Sequence, residues 1–121
     1  MTKFNPVLRT TPTGLLSYDL GADYMLLFPL ATKLQNKFGL EAEKLPIFGL
    51  DQIFLDLNKG ALTITIGWDI WSDLFIMALD ENANELVKEI AGYIDTILEE
   101  LEELEDKLIA EHKENEKDEI S

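Results

Sequence analysis

Cysteine is absent from the 121-residue chain, which excludes disulfides, thiolate metal sites and cysteine nucleophiles. Histidine occurs once, in the charged stretch Glu111-His112-Lys113, where no core fixes neighbours that would make it a base or a metal ligand. No apolar run approaches the roughly 18 residues of a membrane span, and the opening MTKFNPVLRTTPTG lacks the apolar centre of a signal peptide. The chain therefore reads as cytoplasmic. Its glycines are too dispersed to cradle a phosphate, and Ser17, Ser72 and Ser121 lack the flanking glycines of a nucleophile elbow. Nothing in the sequence calls for a cofactor, a metal or a catalytic residue.

Cationic side chains are also scarce, 10 against 24 acidic ones, which leaves a formal net charge of −14. A field of that sign repels phosphate backbones and anionic membranes and attracts cationic proteins. Direct nucleic-acid binding and membrane binding are thus disfavoured. An acidic balance also simply keeps a protein soluble.

What the chain does have is apolar material, 46% of its residues, enough for one core without disulfides or metal. Residues 1–14, with Pro6 and Pro12 among threonines, read as an extended arm, 15–112 as a single α+β domain and 113–121 as a flexible acidic tail. A short strand near Leu15 to Tyr18 is weakly signalled. From Ala22 to Phe38, Leu26, Leu27, Leu30, Ala31, Leu34 and Phe38 recur at helical spacing and Gly39 supplies a stop. Pro29 requires either a bend or a start near Phe28.

The organising stretch is Leu50 to Leu79, which holds both tryptophans and the clearest alternation. It predicts a three-stranded antiparallel meander. The first strand runs over Gln52 to Leu57, Asn58-Lys59-Gly60 makes a tight turn, the second strand spans Ala61 to Ile70, Trp71-Ser72-Asp73 turns again, and the third covers Leu74 to Leu79. Asp80 to Asn84 then opens one long helix, Asn82 to His112. Its seam is Val87, Ile90, Ile94, Ile97, Leu101, Leu104 and Leu108. At the usual rise that helix measures about 45 Å, so its far half is expected to project or to pack on something outside the core. The expected fold is α+β: an N-terminal helix, the meander and the long C-terminal helix.

Asp56, Asp69 and Asp73 fall where they could share the polar face of the meander, either as a metal or acid–base cluster or as a docking face for a basic protein. The glycine and spacing of a calcium loop are missing, and no histidine accompanies them. Trp68 belongs to the buried alternation, whereas Trp71 lies in the turn and is the better contact anchor. The run around Glu99, Glu102 and Glu103 reads as the wet face of a helix or, more sharply, as mimicry of a phosphate backbone. The seam also leaves open an adaptor that forms a homodimer through the C-terminal helix.

The segment WDIWSDLFIMALDENANELVKEI, a strand pair around a Trp-Asp-x-Trp turn followed by an Asp/Asn-capped helix, resembles small acidic immunity proteins of bacterial toxin–immunity systems, including the contact-dependent growth-inhibition type. The resemblance covers about the second half of the chain and is one of size, charge and layout. It implies a cytoplasmic inhibitor, not an enzyme, that binds and blocks a cognate basic toxin domain such as a nuclease. Contact surfaces differ among such pairs, so it assigns no residues. The residues themselves point to Asp56, Asp69, Trp71, Asp73, Glu99, Glu102 and Glu103 as the partner-binding set, with a DNA-mimic inhibitor of a nucleic-acid enzyme as the alternative.

Overall fold

The computed structural model describes the backbone of residues 2–120 and the side chains of residues 2–114. In chain order the elements are β1 (Val7–Thr10), β2 (Leu16–Asp19), a 3-10 turn (Tyr24–Leu26), α1 (Leu27–Phe38), β3 (Ile47–Phe48), β4 (Gln52–Lys59), β5 (Leu62–Asp69), β6 (Asp73–Ala78), a second 3-10 turn (Glu81–Ala83), α2 (Asn84–Thr96) and α3 (Leu98–Ile120). The strands form one six-stranded sheet in the order β1-β2-β6-β5-β4-β3, antiparallel at every pairing. The fold is α+β, but the sheet has twice the expected number of strands and the long C-terminal helix is divided.

The expected meander is present as β4, β5 and β6, and its alternation sorts the two faces. Leu55, Leu57, Ile64, Ile66, Leu74, Ile76 and Ala78 are buried against the helices, where Leu27, Leu30 and Leu34 of α1 and Val87, Ile90 and Ile94 of α2 complete the core. Each such aliphatic side chain contributes about 1.5–3 kcal/mol by leaving water. The helix layer covers one face only. The turn between β4 and β5 sits later than the sequence implies: Lys59 pairs with Leu62, so Gly60-Ala61 is the loop, and Gly60 takes the positive φ of 60° that such a hairpin needs. Likewise β5 stops at Asp69, which puts Ile70 in the following turn.

Two strands escaped the sequence pattern, and a third, β2, matches the weakly signalled strand near Leu15 to Tyr18. β1 is an edge strand with all four residues exposed, and so has no buried alternation to read. β3 is two residues long. β2 buries Ser17 and Tyr18 and pairs with β6 through Ser17, Tyr18 and Asp19 opposite Met77, Ile76 and Phe75. That pairing makes β6 a central strand, which accounts for its apolar residues on both sides. Asn84 locks the hairpin in place: its side-chain oxygen accepts the Leu16 N–H at 2.9 Å and its amide donates to the Gly14 carbonyl at 3.0 Å.

Helix α1 begins at Leu27, so Pro29 falls in the first turn, where its missing N–H has no intrahelical role. The C-terminal helix breaks at Ile97, whose backbone (φ −120°, ψ 17°) leaves the helical region. Thr96 Oγ1 donates to the Tyr93 carbonyl at 2.6 Å, and the Ile97 N–H turns back to Ile94. A straight helix would carry Leu101 and Glu105 off the domain; the break lays α3 across the Tyr24–Leu26 turn, burying Leu101 fully and leaving Glu105 4% exposed. Glu105 accepts the Asp23 N–H at 2.8 Å and pairs with Lys3, which also reaches Asp106 at 2.9 Å. Those carboxylates hold the Lys3 ammonium pKa above its usual value. The seam residues Val87, Ile90, Ile94 and Leu101 are therefore spent on the domain's own core, with Leu104 and Leu108 packed at its margin. The segment expected to be a flexible tail, 113–121, lies mostly outside the described side chains.

On the uncovered face one row of paired residues crosses every strand: Ile47, Phe54, Gly67, Phe75, Asp19 and Val7. The Phe54 and Phe75 rings meet edge to face at 6.2 Å over Gly67, and Phe75 is only 8% exposed without any layer above it. A Cβ on Gly67 would lie 2.7 Å from Phe75 and 2.8 Å from Phe54. Gly67→Ala should therefore destabilise the domain by about 1–3 kcal/mol in urea denaturation, and the cost should shrink when Phe54 is also cut to Ala. Additive costs in that cycle would refute the ring contact as the cause.

A second test concerns Tyr18, buried in the core with its hydroxyl donating to Asp95 at 2.5 Å. Burial and then the Asp95 carboxylate raise its phenol well above the ordinary range. The folded state thus holds this proton more tightly than the unfolded chain, so the stabilisation is complete below about pH 10 and drains away as pH rises further. Tyr18→Phe should flatten the alkaline limb of the stability curve; an unaltered limb would rule this linkage out.

Candidate functional site

The β5–β6 hairpin tip is built by Asp69. Its Oδ1 accepts the N–H groups of Trp71 at 3.0 Å and Ser72 at 2.6 Å, a side-chain-closed turn that projects Trp71 outward, 82% exposed. Directly across the strand pair stands Asp73, so two carboxylates face each other at the base of the turn. Like charges in that position destabilise a ladder by about 0.2–1 kcal/mol. Asp73 also holds a left-handed backbone (φ 56°), the sole non-glycine residue to do so among the described residues. Its side chain makes no hydrogen bond or ion pair among the described residues.

The neighbouring loop continues this surface. The Ile70 N–H donates to the Asp51 carbonyl at 3.0 Å, and the Gly49 N–H closes a tight turn on Gln52 at 2.7 Å, leaving Leu50 at the tip, fully exposed. Beside it the Tyr24 ring meets Trp68 edge on at 5.5 Å and Phe28 lies 6.1 Å from Phe48. Tyr24, Phe48, Leu50, Ile53 and Trp68 line an open groove of about 240 Å³. Leu45, Ile47, Phe48, Leu50, Ile70 and Trp71 are all exposed at or next to this end of the sheet.

The sequence-derived residues divide into three places. Asp69, Trp71 and Asp73 share the hairpin tip. Asp56 is on the same face but opposite Thr65, four positions along β5 from Asp69, a separation of roughly 13 Å at the usual rise; it lines a separate hollow with Glu43, Lys44 and Asn58. Glu99, Glu102 and Glu103 lie at the start of α3. Glu102 is half-buried and accepts the Lys3 N–H at 3.3 Å, Glu99 borders a hollow with Thr2, Phe4 and Asp95, and Glu103 is exposed. Glu105 of α3 lines a groove of about 340 Å³ with Asp23, Lys3 and Asp73 of the tip. His112 borders a shallow hollow with Tyr24, Met25, Leu108 and Glu111.

Among the described residues no three histidine or carboxylate side chains converge to hold a metal ion, and no helix is long and apolar enough to cross a membrane. Tyr24, Phe48, Leu50 and Ile70 were missed because they come from separate elements that meet only in the fold. One signal was available: Leu45, Ile47, Phe48 and Leu50 crowd a connection that also holds Pro46 and Gly49, and loops of soluble domains are seldom so apolar. Comparison with protein-family models, with curated proteins and with solved structures finds no match for this chain.

The strain assigned to the tip is directly measurable. Asp73→Gly removes both the left-handed side-chain penalty and the opposed charge, so it should raise stability by about 0.5–2 kcal/mol. A fall in melting temperature would show that Asp73 stabilises the turn instead.

Proposed function

We propose that this protein is a stoichiometric inhibitor of the immunity type, acting in the cytoplasm to bind and block a cognate basic protein such as the nuclease domain of a toxin. The observation that carries the reading is the hairpin tip: an outward tryptophan framed by two opposed carboxylates, of which Asp73 sits on strained backbone with a side chain that has no partner among the described residues. Locally unfavourable features of this sort persist where an external partner uses them.

The charge distribution agrees. Between Lys59 and Lys88 the chain has no cationic side chain, so both inner strands of the hairpin and its tip present acid alone. Such a surface speeds encounter with a basic partner, while burial of an aromatic anchor slows release. Inhibition needs nothing beyond occupancy: a rigid acidic face seated in a basic cleft excludes substrate phosphates from it. The row of residues across the uncovered face and the single-sided helix layer supply the rigidity.

The test is capture from the source cell's lysate on the immobilised protein at low and high salt, followed by assay of the captured protein. The expected outcome is one basic protein, retained in a fixed ratio at low salt, released as salt rises, and enzymatically silent while bound. A captured protein that stays active in the complex, or no salt-sensitive capture at all, would sink the reading.

A further inference from the structure

Resting on that reading, we infer that the groove between Tyr24, Phe48, Leu50 and Trp68, next to the hairpin tip that carries Trp71, seats one large apolar side chain of the partner, carried on a segment flanked by arginine or lysine. Shape and chemistry together select this occupant. At about 240 Å³ the groove is smaller than the roughly 300–1,000 Å³ of ordinary small-molecule sites, and the polar side-chain groups of its lining are those of Gln52, the Tyr24 hydroxyl and the Trp68 indole N–H. A single side chain fits these dimensions, and an apolar one suits the walls.

The surroundings set the charge of what carries that side chain. Asp51 is adjacent to Leu50 in sequence, its carbonyl holds Ile70, and Asp69 and Asp73 stand at the base of the same tip. Asp69 uses one oxygen on the turn, and Asp73 is uncommitted among the described residues. A guanidinium group beside the seated side chain lies on the Trp71 ring and donates a bidentate pair of hydrogen bonds to the Asp73 carboxylate. A second copy of this chain would set these aspartates against their own equivalents on a protein of net charge −14. An anionic membrane surface or a nucleic acid meets the same repulsion. The complementary surface is therefore apolar at its centre and cationic beside it, the reverse of a groove that adjoins Asp51 and the acidic hairpin tip on a chain of net charge −14.

The experiment uses two defined probes, a tryptophan-free peptide alternating arginine with leucine and one of equal length alternating arginine with glycine. Each is titrated at low salt against the full chain while tryptophan emission and backbone amide NMR shifts are followed. The arginine–leucine peptide should shift emission to the blue, move amides within 48–53 and 69–73, and bind at least about tenfold more tightly than its glycine counterpart. Leu50→Ser and Trp71→Ala, both at exposed positions and so expected to fold, should each weaken it by about tenfold or more. A Glu99→Gln, Glu103→Gln double variant should weaken both peptides equally and only slightly.

Equal binding of the two peptides, or shifts confined to α3, would overturn the groove assignment while leaving an acidic inhibitor intact. Failure of both peptides to bind at low salt would remove the electrostatic reading as well. If emission and sedimentation change on dilution of the protein alone, and Leu50→Ser abolishes the change, the occupant is a second copy and the inference is wrong. The same holds if vesicles of anionic lipid shift the tip amides and the peptides do not.

Discussion

The pairing of β2 with β6 is the constraint on which the rest of this molecule turns. It joins Ser17, Tyr18 and Asp19 to Met77, Ile76 and Phe75, and by doing so converts a three-stranded meander into a six-stranded sheet. The loop that follows β2 is pinned at the same time, since the Leu74 N–H donates to Ala22 and the Leu74 carbonyl receives Leu20 and Gly21. That fixes Asp23 beside Asp73, gives the 3-10 turn its position, and so provides the shelf on which α3 lands after its break. Remove this ladder and the acidic groove, the seat of Glu105 and the burial of Tyr18 all lose their framework together.

Why the sequence showed part of this and hid the remainder follows from what each segment buries. The strands β4 and β5 were readable because their apolar residues alternate from Ile53 to Trp68, and β6 because it is a short apolar run bounded by turn residues. β1 buries none of its four residues and β3 has two, so neither carries a period. The break at Ile97 was invisible because the apolar seam continues through it without interruption; the cause is a side-chain bond from Thr96 and the gain from turning Leu101 and Glu105 inward. In the candidate site, Asp56, Asp69 and Asp73 were expected to share the polar face of the meander; one turn holds Asp69 and Asp73 opposite each other with Trp71 between them, whereas Asp56 stands four positions further along the sheet. The groove was not legible, since Tyr24, Phe48 and Trp68 come from a helix approach, an edge strand and a central strand. Glu102 was read as an outward contact, yet the N-terminal arm already occupies it.

The two faces of the sheet divide the labour of the chain. The helix side is conventional close packing of leucine and isoleucine. The other side has no covering layer, and protects its centre by laying Phe54 and Phe75 over a glycine that leaves room for them. At its β1–β2 end the polar groups meet one another: Ser17 donates to Asp19 at 2.8 Å, and Arg9 meets Asp19 at 2.5 Å. Self-sufficiency there contrasts with the hairpin tip, where Asp73 and Trp71 are left facing outward. Stability and recognition thus occupy different parts of one sheet.

The register of the central ladder also dictates an order of events during synthesis. The strand carrying Asp19 leaves the ribosome long before its partner Phe75 exists, and a hairpin as short as β1–β2 is marginal by itself. The meander, whose contacts are local, forms quickly once its last strand has emerged, whereas closing the long loop back to β2 is slow by comparison. The amino-terminal hairpin must therefore stay unattached until most of the chain has been made, and docks onto a scaffold that is already built.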